Sequence, residues 1–162
     1  MAAKRTSIYL NDHLVVAAAG VDLSNRMRSS NEGTDLGDFL ESIASELEAD
    51  RDGIEQAMEL LDVRRDPLKR GFGWGAEKLG RLKLNGQLTG YSPLSRLVEL
   101  EGMTMIVNGN LSAWQSLEAT AADRLADLDL PARIKRCEVR RAELERHRMN
   151  AARQALADEV IA

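Results

Sequence analysis

The two histidines of this chain, His13 and His147, are the side chains best suited to acid–base or metal chemistry, and each lies near carboxylates at helical spacing. In an antiparallel pair of helices joined by a short turn, residues at one level are equally distant from the turn. A turn near residue 31 or 32 places His13 level with Asp50, and Glu46 lies one helical turn before Asp50. The spacing therefore predicts a His13–Asp50 contact that Glu46 can join.

A second turn near residue 125 produces a similar arrangement in the other half of the chain. This turn places Glu101 close to the level of His147, and Glu143 precedes His147 by one helical turn. The sequence thus predicts a second acid–histidine pair, between Glu101 and His147.

These pairs have two interpretations. In the structural one, which we favour, each histidine is partly buried and a carboxylate satisfies it, so that no buried polar group is left unpaired. In the chemical one, neutral imidazole and carboxylate bind iron, manganese or zinc. The candidate metal ligands are His13, Glu46, Asp50, Glu101, Glu143 and His147. Two protein ligands at one place are too few for a metal ion unless water or both acid–histidine pairs complete the coordination sphere. We predict no catalytic residue and no bound cofactor.

Four long amphipathic patterns predict the helices that position these residues, at about 7–28, 35–62, 93–121 and 131–157. Apolar residues recur at steps of three and four, as on the buried face of a helix. The clearest stripes contain Leu10, Leu14, Ala17 and Val21, then Leu40, Ile43, Leu47 and Ile54, then Leu97, Leu100, Val107, Leu111 and Trp114. The fourth stripe is the least regular, because Arg141 and Arg148 interrupt its heptad spacing, and Cys137 is expected there as a structural thiol. Thr34 and Ser92 are expected to cap the second and third helices.

A basic, glycine-containing connector separates the two halves and predicts a further helix at about 67–84. Two antiparallel helical hairpins joined by a long crossover form the plan of the ferritin-like bundles. If the connector crosses the bundle, the first and third helices run in opposite directions and the two acid–histidine pairs are offset along it. A simple up-down-up-down order would bring the pairs to one level. The sequence leaves this direction open.

The composition indicates a single all-α domain over residues 1–162. Apolar residues make up 44% of the chain, charged residues 30% and aromatic residues only 4%, which is typical of a globular protein rather than a disordered one. The single cysteine cannot form an internal disulfide, which fits a reducing cytoplasm. No apolar run reaches the ~18 residues of a membrane span, and no signal peptide is apparent.

Charge is distributed unevenly, although the net charge is only −4. Residues 32–62 hold eleven acids against one base, whereas residues 64–96 hold eight bases against two acids. Blocks of opposite sign most simply attract each other within one fold, so we expect the connector to pack against the acidic second helix. Binding of nucleic acid or another polyanion by the connector and the basic fourth helix is the less favoured alternative.

Three segments resemble a group of small uncharacterised bacterial proteins with a ferritin-like helical bundle. They are Asn11-Asp12-His13-Leu14, Asp38-Phe39-Leu40 with Glu48-Ala49-Asp50-Arg51, and the stretch from Glu77 through Tyr91 to Glu101. The resemblance covers most of residues 8–118 and implies a ferritin-like fold and a cytoplasmic setting, but no activity. Metal-binding proteins of the wider superfamily use Glu-x-x-His motifs, and this chain contains none.

The sequence leads to three functional hypotheses. The first is a non-enzymatic helical bundle that acts through an unknown protein partner or as a homodimer, with no membrane association. The second is a divergent iron or manganese carboxylate protein that uses the six candidate ligands. The third is a polyanion-binding protein, whose affinity would fall steeply with salt.

Overall fold

The computed structural model describes residues 4–66 and 91–160, including the side chains up to residue 157. Within these ranges the chain forms four α-helices: α1 (Lys4–Ser30), α2 (Asp35–Leu60), α3 (Pro93–Ala121) and α4 (Leu130–Val160). A 3-10 segment (Ala122–Leu128) joins α3 to α4, and the described ranges contain no strand. The all-α prediction is confirmed. The predicted helix at 67–84 lies outside the described residues, as does most of the predicted contact between the connector and the second helix.

The four described helices lie close to their predicted ranges because the terminal signals are local ones. Thr34 precedes α2, and its Oγ1 accepts a hydrogen bond from the Gly37 N–H at 3.1 Å. Ser92 precedes α3, where its Oγ accepts from the Ser95 N–H at 3.0 Å, and Pro93 is the first helical residue. Both residues satisfy amide groups that a helix leaves free at its start, so both cap predictions are confirmed.

The helices pack as two antiparallel hairpins, α1 with α2 and α3 with α4, and α1 also packs against α3. An ion pair at 3.1 Å joins Arg26, near the end of α1, to Glu99, near the start of α3. Helices α2 and α4 contact each other much less extensively than these three pairs do. No helix in residues 4–66 and 91–160 is long and apolar enough to cross a membrane.

Residues 66 and 91 lie at opposite ends of the bundle. Asn11, near the start of α1, accepts from the Asp66 N–H at 2.7 Å and donates to the Arg64 carbonyl at 3.1 Å. Asn31, just beyond the end of α1, donates to the Tyr91 hydroxyl at 3.1 Å. The two asparagines are separated by about 30 Å of helix. The direction that the sequence left open is therefore fixed: α1 and α3 run oppositely, whereas α2 and α3 are parallel.

The core consists of two apolar clusters, one in each half of the bundle. The first contains buried residues from the start of α1 and α4, from the end of α2 and α3 and from the 3-10 segment, including Leu10, Ile54, Met58, Trp114 and Leu125. The second contains residues from the other half of each helix, including Met27, Leu40, Leu47, Leu100 and Leu144. Along their helices, the buried polar residues Asp50, Asn110 and Arg140 separate the two clusters.

Candidate functional site

The Asp50 carboxylate lies at the centre of the bundle, where its side chain is 5% exposed. Its Oδ2 accepts from Arg140 Nη1 at 2.6 Å and from Asn110 Nδ2 at 3.2 Å, and its Oδ1 accepts from Trp114 Nε1 at 3.1 Å. These bonds join α2 to both α3 and α4. A buried carboxylate is stabilised only when charged and hydrogen-bonding partners replace water, and Asp50 has both kinds.

Arg140 is the cation of this site, and its side chain is only 2% exposed. Besides Asp50, its guanidinium contacts Glu46, where Nε donates to Oε2 at 2.9 Å. Burial opposes the charge on Arg140, but the attraction and hydrogen bond of Asp50 outweigh burial and raise the pKa of the guanidinium. We call this group the central polar cluster; it comprises Glu46, Asp50, Asn110, Trp114, Cys137 and Arg140.

Cys137 is a buried free thiol within the central polar cluster. Its Sγ lies 3.8 Å from Asp50 Oδ2 and 3.9 Å from Arg140 Nη2. Burial, reinforced by the negative charge of Asp50, raises the pKa of the thiol to about 12. Because the thiolate is the nucleophilic form, a protonated thiol at neutral pH fits the structural role expected from the sequence.

A second arginine, Arg133, closes the α2–α4 side of the cluster. Its Nη1 donates to the Ala49 carbonyl at 3.0 Å, and its guanidinium lies over the Trp114 ring at 5.0 Å from the centroid. Gly53 leaves room for this side chain, because a Cβ there would collide with the guanidinium. Two long arginine side chains thus connect helices that make few direct contacts.

The predicted His13–Asp50 contact is wrong. The His13 ring instead packs against Tyr9 with a centroid distance of 4.4 Å, and its buried Nδ1 has no hydrogen-bond partner in the described part of the chain. Burial lowers the pKa of His13, although Asp12 partly opposes this effect. Asp50, the expected partner, is held by α3 and α4.

The level-matching argument failed because the first turn lies later than expected. Helix α1 continues to Ser30, and α2 begins only at Asp35. Gly20 consequently packs at the level of Leu47, which places His13 near the level of Ile54, one helical turn beyond Asp50.

The predicted Glu101–His147 pair is also wrong, although the level is correct to within one residue. Glu101 lies 4.0 Å from Arg148, the residue after His147. The His147 ring stacks on Phe39 of α2 at a centroid distance of 4.6 Å. His147 therefore faces α2 rather than α3, and burial together with Arg146 lowers its pKa.

The six candidate metal ligands do not converge. Only Glu46 and Asp50 share a site, and Arg140 binds both of them. Glu143 pairs with Arg146 at 3.7 Å on the surface of α4. Within residues 4–66 and 91–160, no group of three or more His, Cys, Asp or Glu residues could hold a metal ion.

Arg140 and Asn110 are the important residues that sequence reasoning missed. The buried positions of α4 are Cys137, Arg140, Leu144, His147 and Ala151, which follow alternating steps of three and four. This heptad spacing was present in the sequence, but the interpretation placed Arg141 rather than Arg140 on the buried stripe. Arg141 is exposed. An arginine at such a position predicts a buried acid on a neighbouring helix, and Asp50 is the one charged residue among the buried residues of α2.

Comparisons with protein-family models, with curated proteins and with solved structures found no match to this chain. The chemistry available to the protein is therefore inferred from its own geometry.

Removing the buried cation provides a direct test of the central polar cluster. We expect Arg140→Met to lower the free energy of unfolding by about 3–5 kcal/mol, because it leaves Asp50 buried without a counter-ion. Adding Asp50→Asn should restore part of the loss, since asparagine removes the charge and keeps an acceptor oxygen for Trp114. Urea unfolding followed by circular dichroism measures both effects. Arg141→Met, at the exposed neighbouring position, is the matched control, and an equal loss in that variant would contradict a special role for Arg140.

The position of His13 can be tested by its titration. Because burial lowers the pKa of His13, NMR should find it below the ordinary value of about 6.5, and Asp50→Asn should leave it unchanged. A pKa above 6.5 that falls in Asp50→Asn would restore the His13–Asp50 pair.

The same shift has a consequence for stability. A histidine with a lowered pKa binds fewer protons in the folded state than in the unfolded state, so its contribution is complete above about pH 6.5. The contribution is lost as the pH falls through the folded-state pKa. His13→Gln should therefore show a shallower loss of stability between neutral and mildly acidic pH than the unmodified protein.

Proposed function

We propose that this protein is a non-enzymatic helical bundle of the ferritin-like type that acts through a surface for a protein partner or for a second copy of itself. The parallel directions of α2 and α3 support this arrangement, because a long crossover between two antiparallel hairpins is what distinguishes that plan from a simple up-down bundle. The resemblance of the sequence to small bacterial proteins of this type agrees with the proposal.

The position of Arg140 is the main observation that supports a non-enzymatic role. Ferritin-like metal proteins direct carboxylates and histidines into the bundle centre. In this chain the central carboxylate of Asp50 and the more exposed carboxylate of Glu46 are both bound by one buried guanidinium. A metal ion there would have to displace that cation and leave it buried without a partner, which is strongly unfavourable. The arrangement therefore favours a structural role for the cluster.

The charges of α4 support a protein surface more than a polyanion site. Several of its bases lie beside acids one turn away: Lys135 with Glu138 at 3.8 Å, Arg146 with Glu143 at 3.7 Å and Arg148 with Glu145 at 2.6 Å. Paired bases contribute little attraction to phosphate groups, because each is already neutralised by its neighbour.

The outward face of α4 also carries exposed apolar side chains. Val139, Met149 and Leu156 are 56%, 39% and 41% exposed and are three of the five large apolar side chains exposed in the described part of the chain. Together with Ala142, they follow steps of three, seven and seven residues and so lie along one side of the helix, which we call the α4 outer row. Exposed apolar residues aligned on one helix face are typical of a surface that packs against another protein.

Elemental analysis separates this proposal from the metal hypothesis. Protein purified without a chelating tag should contain iron, manganese and zinc far below one ion per chain, because the central carboxylates are already bound by Arg140. Stoichiometric metal that is lost in Asp50→Asn would overturn the non-enzymatic proposal. Measuring Arg141→Met in parallel controls for nonspecific loss of metal in a variant.

Sedimentation equilibrium tests the self-association form of the proposal. The average mass should rise above the 17.9 kDa of one chain as concentration increases. Met149→Glu should reduce the mass toward that of the monomer, because it places a charge in the α4 outer row. Met105→Glu is the matched control, since Met105 is exposed on α3, outside the row. A monomer at every concentration would contradict self-association and leave a different protein as the partner.

A further inference from the structure

A groove of about 420 Å³ lies at the end of the bundle where α2 and α3 begin. Its wall includes Asn31 from the first turn, Asp35 from the start of α2, Arg96 from α3, and His147, Asn150 and Gln154 from α4. We call it the end groove. It is separate from both the central polar cluster and the α4 outer row.

The three polar residues that α4 contributes to the end groove share one property: an arginine occupies the acceptor atom of each. Arg146 Nη2 lies 2.9 Å from His147 Nε2, Arg153 Nη1 donates to Asn150 Oδ1 at 2.9 Å, and Arg96 Nη1 donates to Gln154 Oε1 at 3.1 Å. An amide whose oxygen is engaged still has its NH₂ donors. The groups left free in Asn150 and Gln154 are therefore donors.

The tautomer of His147 follows from the same reasoning. Arginine can only donate, so Nε2 of the neutral ring must accept from Arg146, and the ring proton lies on Nδ1. No described residue forms a hydrogen bond with Nδ1, and His147 is only 6% exposed. The stacking of the ring on Phe39 fixes its orientation. A largely buried histidine on the groove wall thus has an N–H donor without a partner in the described part of the chain.

Arg96 contributes a positive charge to the end groove. Its Nε donates to Asn31 Oδ1 at 3.0 Å, and its guanidinium lies 5.5 Å from the Tyr91 ring centroid. These partners and Gln154 are all uncharged, and among the described residues Arg96 forms no ion pair. Asn31 in turn donates to the Met27 carbonyl at 2.7 Å, which holds the arginine in place.

From these contacts we infer that the end groove binds a small oxyanion, a carboxylate or phosphate group, through Arg96 and the N–H donors of His147, Asn150 and Gln154. Oxygen atoms that only accept match the donors that these four residues leave free, and hydrogen bonds to a charged group are stronger than those between neutral groups. Asp35 is the one carboxylate among the described residues that line the groove, and it offsets the charge of Arg96. Binding therefore depends on directed donors more than on net charge, unlike the polyanion hypothesis, and it does not depend on the proposed protein-binding role of α4.

Titration with inorganic phosphate and, separately, with acetate tests this inference on the full chain. The ¹⁵N NMR signals of the His147 ring and of the Asn150 and Gln154 side-chain amides should shift with a common dissociation constant for the anion that binds. The free His147 ring should show a protonated Nδ1. The two anions distinguish a phosphate site from a carboxylate site.

Gln154→Glu is the decisive variant, because glutamate keeps an acceptor for Arg96 but replaces the free N–H donors with a negative oxygen. Affinity should fall about tenfold or more, which is the effect of losing one hydrogen bond to a charged group. Gln115→Glu makes the same chemical change at an exposed position near the end of α3, whereas Arg96 lies near its start. This control variant should bind the anion with the affinity of the unmodified protein. Failure of both anions to shift these signals, or equal affinity in Gln154→Glu, would overturn the inference.

Discussion

The ion pair between Asp50 and Arg140 is the interaction on which the rest of this bundle depends. It lies where α2, α3 and α4 meet, and both side chains are almost fully buried. Two charges removed from water are costly, and their attraction compensates only when the remaining donors and acceptors are also satisfied. Asn110 and Trp114 supply those bonds to Asp50, and Glu46 supplies one to Arg140. The pair is therefore stable only in one relative position of three helices.

This requirement selects one alignment of the helices along the bundle axis, although the apolar residues alone would tolerate several alignments. Leucine and alanine stripes can slide by one helical turn with little loss of packing, because similar side chains recur every three or four residues. A slide that separated Asp50 from Arg140 would leave two buried charges unpaired. The cost of that error exceeds the stabilisation from most single apolar contacts. The pair thus supplies specificity to the α2–α4 contact, which is otherwise sparse.

The features that sequence reasoning predicted correctly depend on local chemistry. Helix ends were predictable because Thr34, Ser92 and Pro93 act within one turn of the chain. The prediction of which residues lie at the same level on two helices was less accurate. A turn displaced by about two residues changes the partner of every residue along the hairpin. The face on which His147 lies could not be predicted at all, since a helix can rotate without changing the level of its residues. Arg140 was missed because charged residues are rarely buried, and the heptad spacing was assigned one residue out of phase, with Arg141 on the stripe.

The small number of aromatic residues explains why arginines fill the space between α2 and α4. Only 4% of the chain is aromatic, so few large apolar side chains are available to span a wide separation between helices. Arginine combines a long aliphatic stem with a planar group that can stack on Trp114 and bind two carboxylates. The same property gives the cluster a structural character, because a guanidinium that completes the core also occupies the carboxylates a metal would require. At the bundle end, by contrast, the arginines bind the amide oxygens of Asn150 and Gln154 and a ring nitrogen of His147. These contacts leave N–H donors free for the proposed oxyanion.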